Sequence, residues 1–186
     1  MIEVDKGHIL GEVYKVVANN NRNLHNLWIN HIVFTWRWWL GVFLTFIPWF
    51  IWIKVRNKKE TIRLLFTGLV VAITTNVLDL AGICYGLWYY DYKVTPMTVI
   101  YVPWDFALFP VAIMLLIQFK PKVSPLIKAI GFGLICGFVF EPLFAWMDVY
   151  VYTNWKHWYS FVIYTLLYLI FYKIYDSKLL RQCINE

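Results

Sequence analysis

The chain has 186 residues, of which 61% are hydrophobic and 20% aromatic, and only 15% are charged. Soluble domains carry about 25% charged and about 45–50% apolar residues, so this composition excludes a water-soluble globule. The formal charge of +6 would suit a nucleic-acid binder, but where the basic residues fall along the chain excludes that reading.

Residues 1–33 form an N-terminal tail. It opens Met1-Ile2-Glu3-Val4-Asp5-Lys6, with no basic segment followed by an apolar core, so no signal peptide is expected and insertion would depend on the later helices. Asn19-Asn20-Asn21 and Asn23 are expected to break the tail. Beyond them Leu24, Leu27, Trp28 and His31 recur at helical spacing. That pattern fits either a short amphipathic helix in the membrane interface or a mobile polar tail. Residues 34–175 then hold five apolar stretches, at about 34–53, 62–88, 99–119, 126–147 and 159–175. Each approaches the roughly 20 residues that a helix needs to cross a bilayer core. Pro103 and Pro110 fall in the third, where neighbouring helices can satisfy the freed backbone groups. Residues 176–186 form a basic tail. The expected fold class is all-α, an integral membrane bundle of about five transmembrane helices.

The connections carry the orientation. The first holds Lys54, Arg56, Lys58, Lys59 and Arg63, and the third holds Lys120, Lys122 and Lys128. The C-terminal region holds Lys173, Lys178 and Arg181, whereas the second and fourth connections hold only Lys93 and Lys156. Basic loops stay in the cytoplasm, which places the N-terminus outside and the C-terminus inside. The expected location is the plasma membrane, multi-pass, and the positive charge serves topology and anionic lipid, with no nucleic acid as partner.

Acids inside spans are costly and face a bundle interior. With this topology Asp79, Asp105, Glu141 and Asp148 all fall in the outer half or at its edge, with Asp91 in the outer loop. Asn76 and Asp79 are three residues apart and share a helix face. Arg37, flanked by Trp36, Trp38 and Trp39, would either snorkel outward or serve as counter-charge to Asp105 or Glu141. Trp88, Trp104 and Trp146 belong to the same end of the bundle. The aromatic residues fit an ordinary interfacial belt, or alternatively a pocket that holds an apolar ligand and stabilises a cation over ring faces. A weak internal echo sets Asp79, Trp88 and Trp104-Asp105 beside Asp148, Trp155 and Trp158-Tyr159, pairing spans two and three with spans four and five.

Other chemistry is sparse. Cys84, Cys136 and Cys183 are read as small buried hydrophobes. His8, His25, His31 and His157 form no ligand set with the acids, so no metal and no cofactor are expected. His157 lies three residues before Ser160, with no nucleophile arrangement around them. Gly131, Gly133 and Gly137 read as small residues for close helix packing, Gly133 and Gly137 at Gly-x-x-x-Gly spacing, and a homo-oligomer formed through such packing is an expected partner state.

Leu78-Asp79, Trp88-Tyr89-Tyr90-Asp91, Pro103-Trp104-Asp105-Phe106 with Phe109-Pro110, and Glu141-Pro142 resemble a family of small membrane proteins from spore-forming Firmicutes. That resemblance spans most of the chain and implies location and architecture, with no reaction attached. Asp79, Gly86-Leu87-Trp88-Tyr89 and Pro103-Trp104-Asp105 with Phe109 are also similar, in order, to the motifs of the lycopene cyclase domain. Here the acidic pair of that domain is reduced to Trp104-Asp105. Membrane terpene cyclases in general have similar acid and aromatic arrangements.

Three functions follow as expectations. The first is a membrane protein that binds a lipid or a partner membrane protein, its acids in structural hydrogen bonds. The second is an isoprenoid cyclase or isomerase, with Asp105 or Glu141 as general acid, Asp79 and Asn76 orienting it, and Trp88, Trp104 and Trp146 flanking the cation. Asp148 and Arg37 would line the binding site in either case. The third, transport, lacks a relay of polar residues across the inner half; Thr67, Thr74 and Thr75 are the only hints, and threonine in a span usually bonds its own backbone.

Overall fold

The computed structural model describes residues 6–97 and 100–185. The expected start of the third span, Val99, lies outside the described residues, as do the side chains of His8 and Cys183. The chain is overwhelmingly helical. Helix α1 runs Lys6–Leu27 and continues through a π-helical turn, Trp28–Ile32. Helix α2 spans Trp36–Val55 and α3 spans Thr61–Cys84, the latter entered by a 3-10 turn at Lys58–Glu60. Strand β1, Trp88–Tyr90, is followed by a π-helical turn at Trp104–Leu108 and helix α4, Phe109–Gln118. Helix α5 (Pro125–Ile135), a π-helical turn (Cys136–Phe140) and α6 (Glu141–Trp146) make one continuous rod. Strand β2 (Tyr150–Tyr152), α7 (His157–Tyr175) and α8 (Lys178–Asn185) complete the chain.

The expectation for the N-terminal tail is corrected. The asparagines do not break the N-terminal tail: α1 passes through Asn19, Asn20, Asn21 and Asn23 without interruption. In a helix interior asparagine costs only about 0.7 kcal/mol against alanine, and the backbone ladder survives it. The helical bundle is all-α as expected, with one small two-stranded sheet added to it. Its strands are aromatic and β-branched triplets, Trp88-Tyr89-Tyr90 and Tyr150-Val151-Tyr152, the residue types that suit extended backbone.

Four helices are long and apolar enough to cross a membrane: Trp36–Val55, Lys58–Cys84, Pro125–Trp146 and His157–Tyr175. The third apolar stretch is helical over Trp104–Gln118. At about 1.5 Å per residue it spans roughly 22 Å, short of a bilayer core of about 30 Å. The bundle is apolar outside as well as inside. Phe43, Phe46 and Phe50 on α2, Leu69 and Ile73 on α3 and Leu166 and Ile170 on α7 are exposed, an apolar surface of the kind that faces a membrane or a partner. The core joins Trp52, Leu64, Phe109, Ile113, Met114, Phe132, Tyr168 and Phe171. Gly68 admits the Met114 side chain, and Gly133 and Gly137 let α7 approach at Phe161 and Thr165. The Gly-x-x-x-Gly spacing is therefore used within the chain.

At one end the basic residues gather. Arg63 donates to Glu60 Oε2 at 2.6 Å and to the Tyr175 carbonyl at 2.7 Å, with its guanidinium stacked 4.2 Å from the Tyr175 ring. Lys128 donates to the carbonyls of Leu116 and Phe119, which closes the C-terminus of α4.

The opposite end reveals an internal duplication. After α3, Tyr85 N–H donates to the Ala81 carbonyl, Gly86 N–H to Ile83 and Leu87 N–H to Gly82. After α6, Met147 donates to Leu143, Asp148 to Ala145 and Val149 to Phe144. The pattern repeats bond for bond at a constant spacing of 62 residues (Gly82 to Phe144, Leu87 to Val149). The turn residues correspond as well, Gly86 at φ 65° and Asp148 at φ 57°. The strands pair antiparallel as Trp88 with Tyr152, Tyr89 with Val151 and Tyr90 with Tyr150, and Asp91 N–H to the Val149 carbonyl mirrors Thr153 N–H to Leu87. Equal units facing each other across a local two-fold give this arrangement. It corrects the register of the echo read from sequence: Asp79 corresponds to Glu141, not to Asp148, and Trp88 corresponds to Tyr150, not to Trp155.

Candidate functional site

The two equivalent acids and a third converge on one cavity of about 100 Å³, on the sheet side of the bundle. Asp79 comes from the last turns of α3, Asp105 from the π-turn before α4, and Glu141 from the first residue of α6. All three are buried. The wall between them is aromatic and aliphatic: Trp88, Tyr90, Trp104, Phe144, Tyr150 and Tyr164 among others.

Local sequence explains how the acids turn inward. A proline follows closely in two cases, Phe109-Pro110 after Asp105 and Pro142 directly after Glu141. Proline has no N–H for the helix ladder, and at both places the preceding turn widens to π geometry; Asp105 lies within its turn and Glu141 directly follows its own. Such turns cluster at functional sites.

Each acid has a distinct set of partners. Asp79 Oδ1 accepts from Trp88 Nε1 and Tyr90 OH, both at 3.1 Å. The Trp88 ring lies over Gly82, where a Cβ would sit 2.1 Å from it. Tyr90 stacks on Tyr101 at 4.3 Å, with the rings nearly parallel. Asp105 Oδ2 accepts from Tyr101 N–H at 3.3 Å, and its backbone carbonyl accepts from Thr75 Oγ1. The carboxyls of Asp79 and Asp105 lie within hydrogen-bonding reach of each other. Asp79 Oδ2 and Asp105 Oδ1 have no N–H or hydroxyl donor among the described residues. A carboxylate only accepts, so two such oxygens bond when one of them carries a proton.

Glu141 Oε1 accepts from Tyr164 OH at 2.7 Å. Its Oε2 has no donor within hydrogen-bond distance among the described residues, and His157 Nδ1 stands 3.7 Å away. The Ser160 hydroxyl, which accepts from Trp155 Nε1 at 2.7 Å, is close to the same carboxyl. Trp155 meets Trp88 edge to face at 4.8 Å, which links the partners of the two acids.

The remaining sequence-chosen residues lie elsewhere. Trp104 lines the cavity, but Trp146 is 81% exposed and points away from it. Asn76 does not assist Asp79; its Nδ2 donates to the Ala72 carbonyl of its own helix, and Thr75 takes the inward position. Arg37 is the counter-charge of neither Asp105 nor Glu141. Its Nη2 bonds Asp148 Oδ2 and its Nε bonds the Met147 carbonyl, each at 2.7 Å, with the guanidinium between the rings of Trp36 and Tyr92. Arg37 and Asp148 therefore tie α2 to the end of α6 beside the cavity.

Tyr101 and Tyr164 were not read from sequence, and Ser160 was read there only as lacking a nucleophile arrangement. Had the repeat been registered on Asp79 and Glu141, the tyrosine eleven positions after each acid, Tyr90 and Tyr152, would have marked both strands. Above the cavity, three indoles of the N-terminal third hold the chain between β1 and α4: Trp28 Nε1 donates to the Lys93 carbonyl, Trp38 Nε1 to Val94 and Trp49 Nε1 to Phe106. In that segment burial lowers the Lys93 ammonium to about 8. Burial, and then the charge of Asp148, raises the carboxyl of Asp91.

Compared with family models, with curated proteins and with solved structures, the chain matches none.

Proposed function

We infer that this is a plasma-membrane protein whose acid-lined aromatic cavity binds the end of an apolar lipid chain, an isoprenoid above all. In this reading the chain crosses the membrane five times, N-terminus outside and C-terminus in the cytoplasm. The gathering of Arg63, Lys128 and their neighbours at one end of the bundle supports that orientation. The short helix Trp104–Gln118 is the third crossing.

One observation carries the binding reading. Asp79, Asp105 and Glu141 are all buried around a single aromatic cavity, and Glu141 Oε2 has no hydrogen-bond partner among the described residues. An acid that served only to tie helices together would have this oxygen satisfied, since an unsatisfied buried polar group costs about 1–3 kcal/mol. The volume limits the ligand. An apolar cavity of about 150 Å³ admits a benzene ring, so about 100 Å³ takes a few carbons at a chain end while the rest of the molecule lies along the lipid-facing helices.

The test is mass spectrometry of lipids that co-purify with the full chain from isoprenoid-producing cells, wild type against Asp105→Asn. A specific prenyl compound enriched on the wild type and diminished on the variant is the expected result. Bulk phospholipid alone on both removes the reading and directs attention to a partner membrane protein or a second copy on the exposed helix faces.

A second reading is favoured by the contact between Asp79 and Asp105. A shared proton beside an aromatic wall can be passed to a carbon–carbon double bond. The Asp105 O–H breaks as a C–H forms, the cation at the neighbouring carbon is stabilised over Trp88 and Trp104, and loss of another proton to the carboxylate regenerates the acid. The net result is isomerisation or cyclisation with no oxidant. A product formed from a prenyl substrate by the wild type and lost in Asp105→Asn is expected, and unchanged product in that variant would sink it.

A further inference from the structure

Asp79 and Glu141 occupy equivalent places in the two repeats, but their surroundings differ. Asp79 is closed in by the donors at the ninth and eleventh positions after it, Trp88 and Tyr90. The corresponding residues after Glu141 are Tyr150 and Tyr152. The Tyr152 hydroxyl does not donate to the acid; it pairs with His157 Nδ1 at 2.9 Å. The same Nδ1 lies 3.7 Å from Glu141 Oε2, the oxygen without a donor. The Glu141 side chain is 6% exposed and that of His157 is 39% exposed. One imidazole thus reaches both the surface and the buried carboxyl.

We propose that His157 is the proton port of the cavity, exchanging protons between outside water and the Glu141 carboxyl. Imidazole suits the task because one ring nitrogen can bind a proton as the other releases one. The 3.7 Å gap is closed by a small rotation of the ring or by one bridging water. A proton leaves Nδ1, the O–H forms on Glu141 Oε2, and the imidazole is restored by a proton taken from water, so the charge balances with no other reactant. Three features hold the ring in place: the Tyr152 hydroxyl from β2, the Phe138 ring at 6.5 Å, and the approach of Gly137 to the His157 backbone carbonyl. Glu141 from α6 and Tyr152 from β2 are the titratable side chains facing the ring from the packed elements, with Lys156 adjacent in sequence. The proposal rests on the reading of the cavity as a place where a proton is used. Its test needs no prenyl ligand, so the two can fail separately.

The full chain, in phospholipid nanodiscs without added ligand, is transferred to deuterated water, and the carboxylic acid C=O stretch is followed by infrared difference spectroscopy. Glu141→Gln identifies the Glu141 band. In His157→Phe and in His157→Gln, which keeps a hydrogen bond to Tyr152, exchange of that band slows by roughly tenfold or more, the scale of a lost general acid–base group. Added imidazole restores the rate in His157→Ala, which a purely structural role for the ring would not produce. Exchange at the wild-type rate in the folded His157 variants overturns the proposal. So does the absence of any exchangeable band that Glu141→Gln removes.

Discussion

At the residue scale the site depends on small spaces and single contacts. Gly82 is the clearest case. Any side chain there meets the Trp88 ring at 2.1 Å and drives it off Asp79. Gly82→Ala is expected to lower stability by about 1–3 kcal/mol, the usual cost of overpacking, read as a fall in Tm and a changed Trp88 environment. Gly131→Ala is the matched control. Nothing lies within 4 Å of the new Cβ, and alanine is the better helix former by about 1 kcal/mol, so Tm should hold or rise. Arg37 and Asp148 form a charge pair beside the cavity. The Asp148 side chain is 66% exposed, so a double-mutant cycle should return a coupling of only about 0.2–1 kcal/mol. Arg37→Lys should cost more than that coupling, because it also loses the Nε bond to the Met147 carbonyl.

At the element scale, the segment between β1 and α4 is held by indoles from outside it and carries a half-buried lysine. Burial lowers Lys93 to about 8, from an ordinary value of 10.5. The unfolded chain therefore holds this proton more tightly than the folded one, and stability rises with pH between the two values. Lys93→Met should raise Tm at pH 7. Its advantage should shrink as pH climbs through about 8 and beyond; a pH-independent difference would rule out the titration of Lys93 as its cause. The α5–α7 contact is set by glycine. Gly133→Leu would drive side-chain atoms into Thr165 and the Phe161 backbone, and it should separate the two helices and reduce the yield of folded protein more than Gly131→Leu. The elements most legible in the sequence were the long apolar helices. The strands were hidden because three aromatic residues at a membrane interface read equally well as a belt, and α1 was misjudged because asparagine weakens a helix without ending it.

At the scale of the whole molecule, two equal units face each other across the β1–β2 pair and place one acid each on a common cavity. The third acid, Asp105, comes from the turn before α4 and breaks the symmetry, as do the indole-held segment on one side and His157 on the other. The proposed five-crossing topology predicts sidedness. A cysteine introduced at Asn154, with the native cysteines removed, should react with an impermeant reagent on intact cells, and one at Lys122 should react only after permeabilisation. The reverse pattern would invert the orientation. By itself the sequence determined that the chain belongs in a membrane, and that its buried acids crowd toward one end. Those properties follow from apolar length and from charge order, which are one-dimensional. Only the tertiary structure decided what each polar group meets: Arg37 with Asp148, Thr75 inward in place of Asn76, Trp146 outward, and Glu141 as the counterpart of Asp79. Each helical residue turns a side chain by about 100°, and the π-turns before Pro110 and Pro142 add rotations that spacing does not reveal, so the partners of these groups were fixed by packing alone.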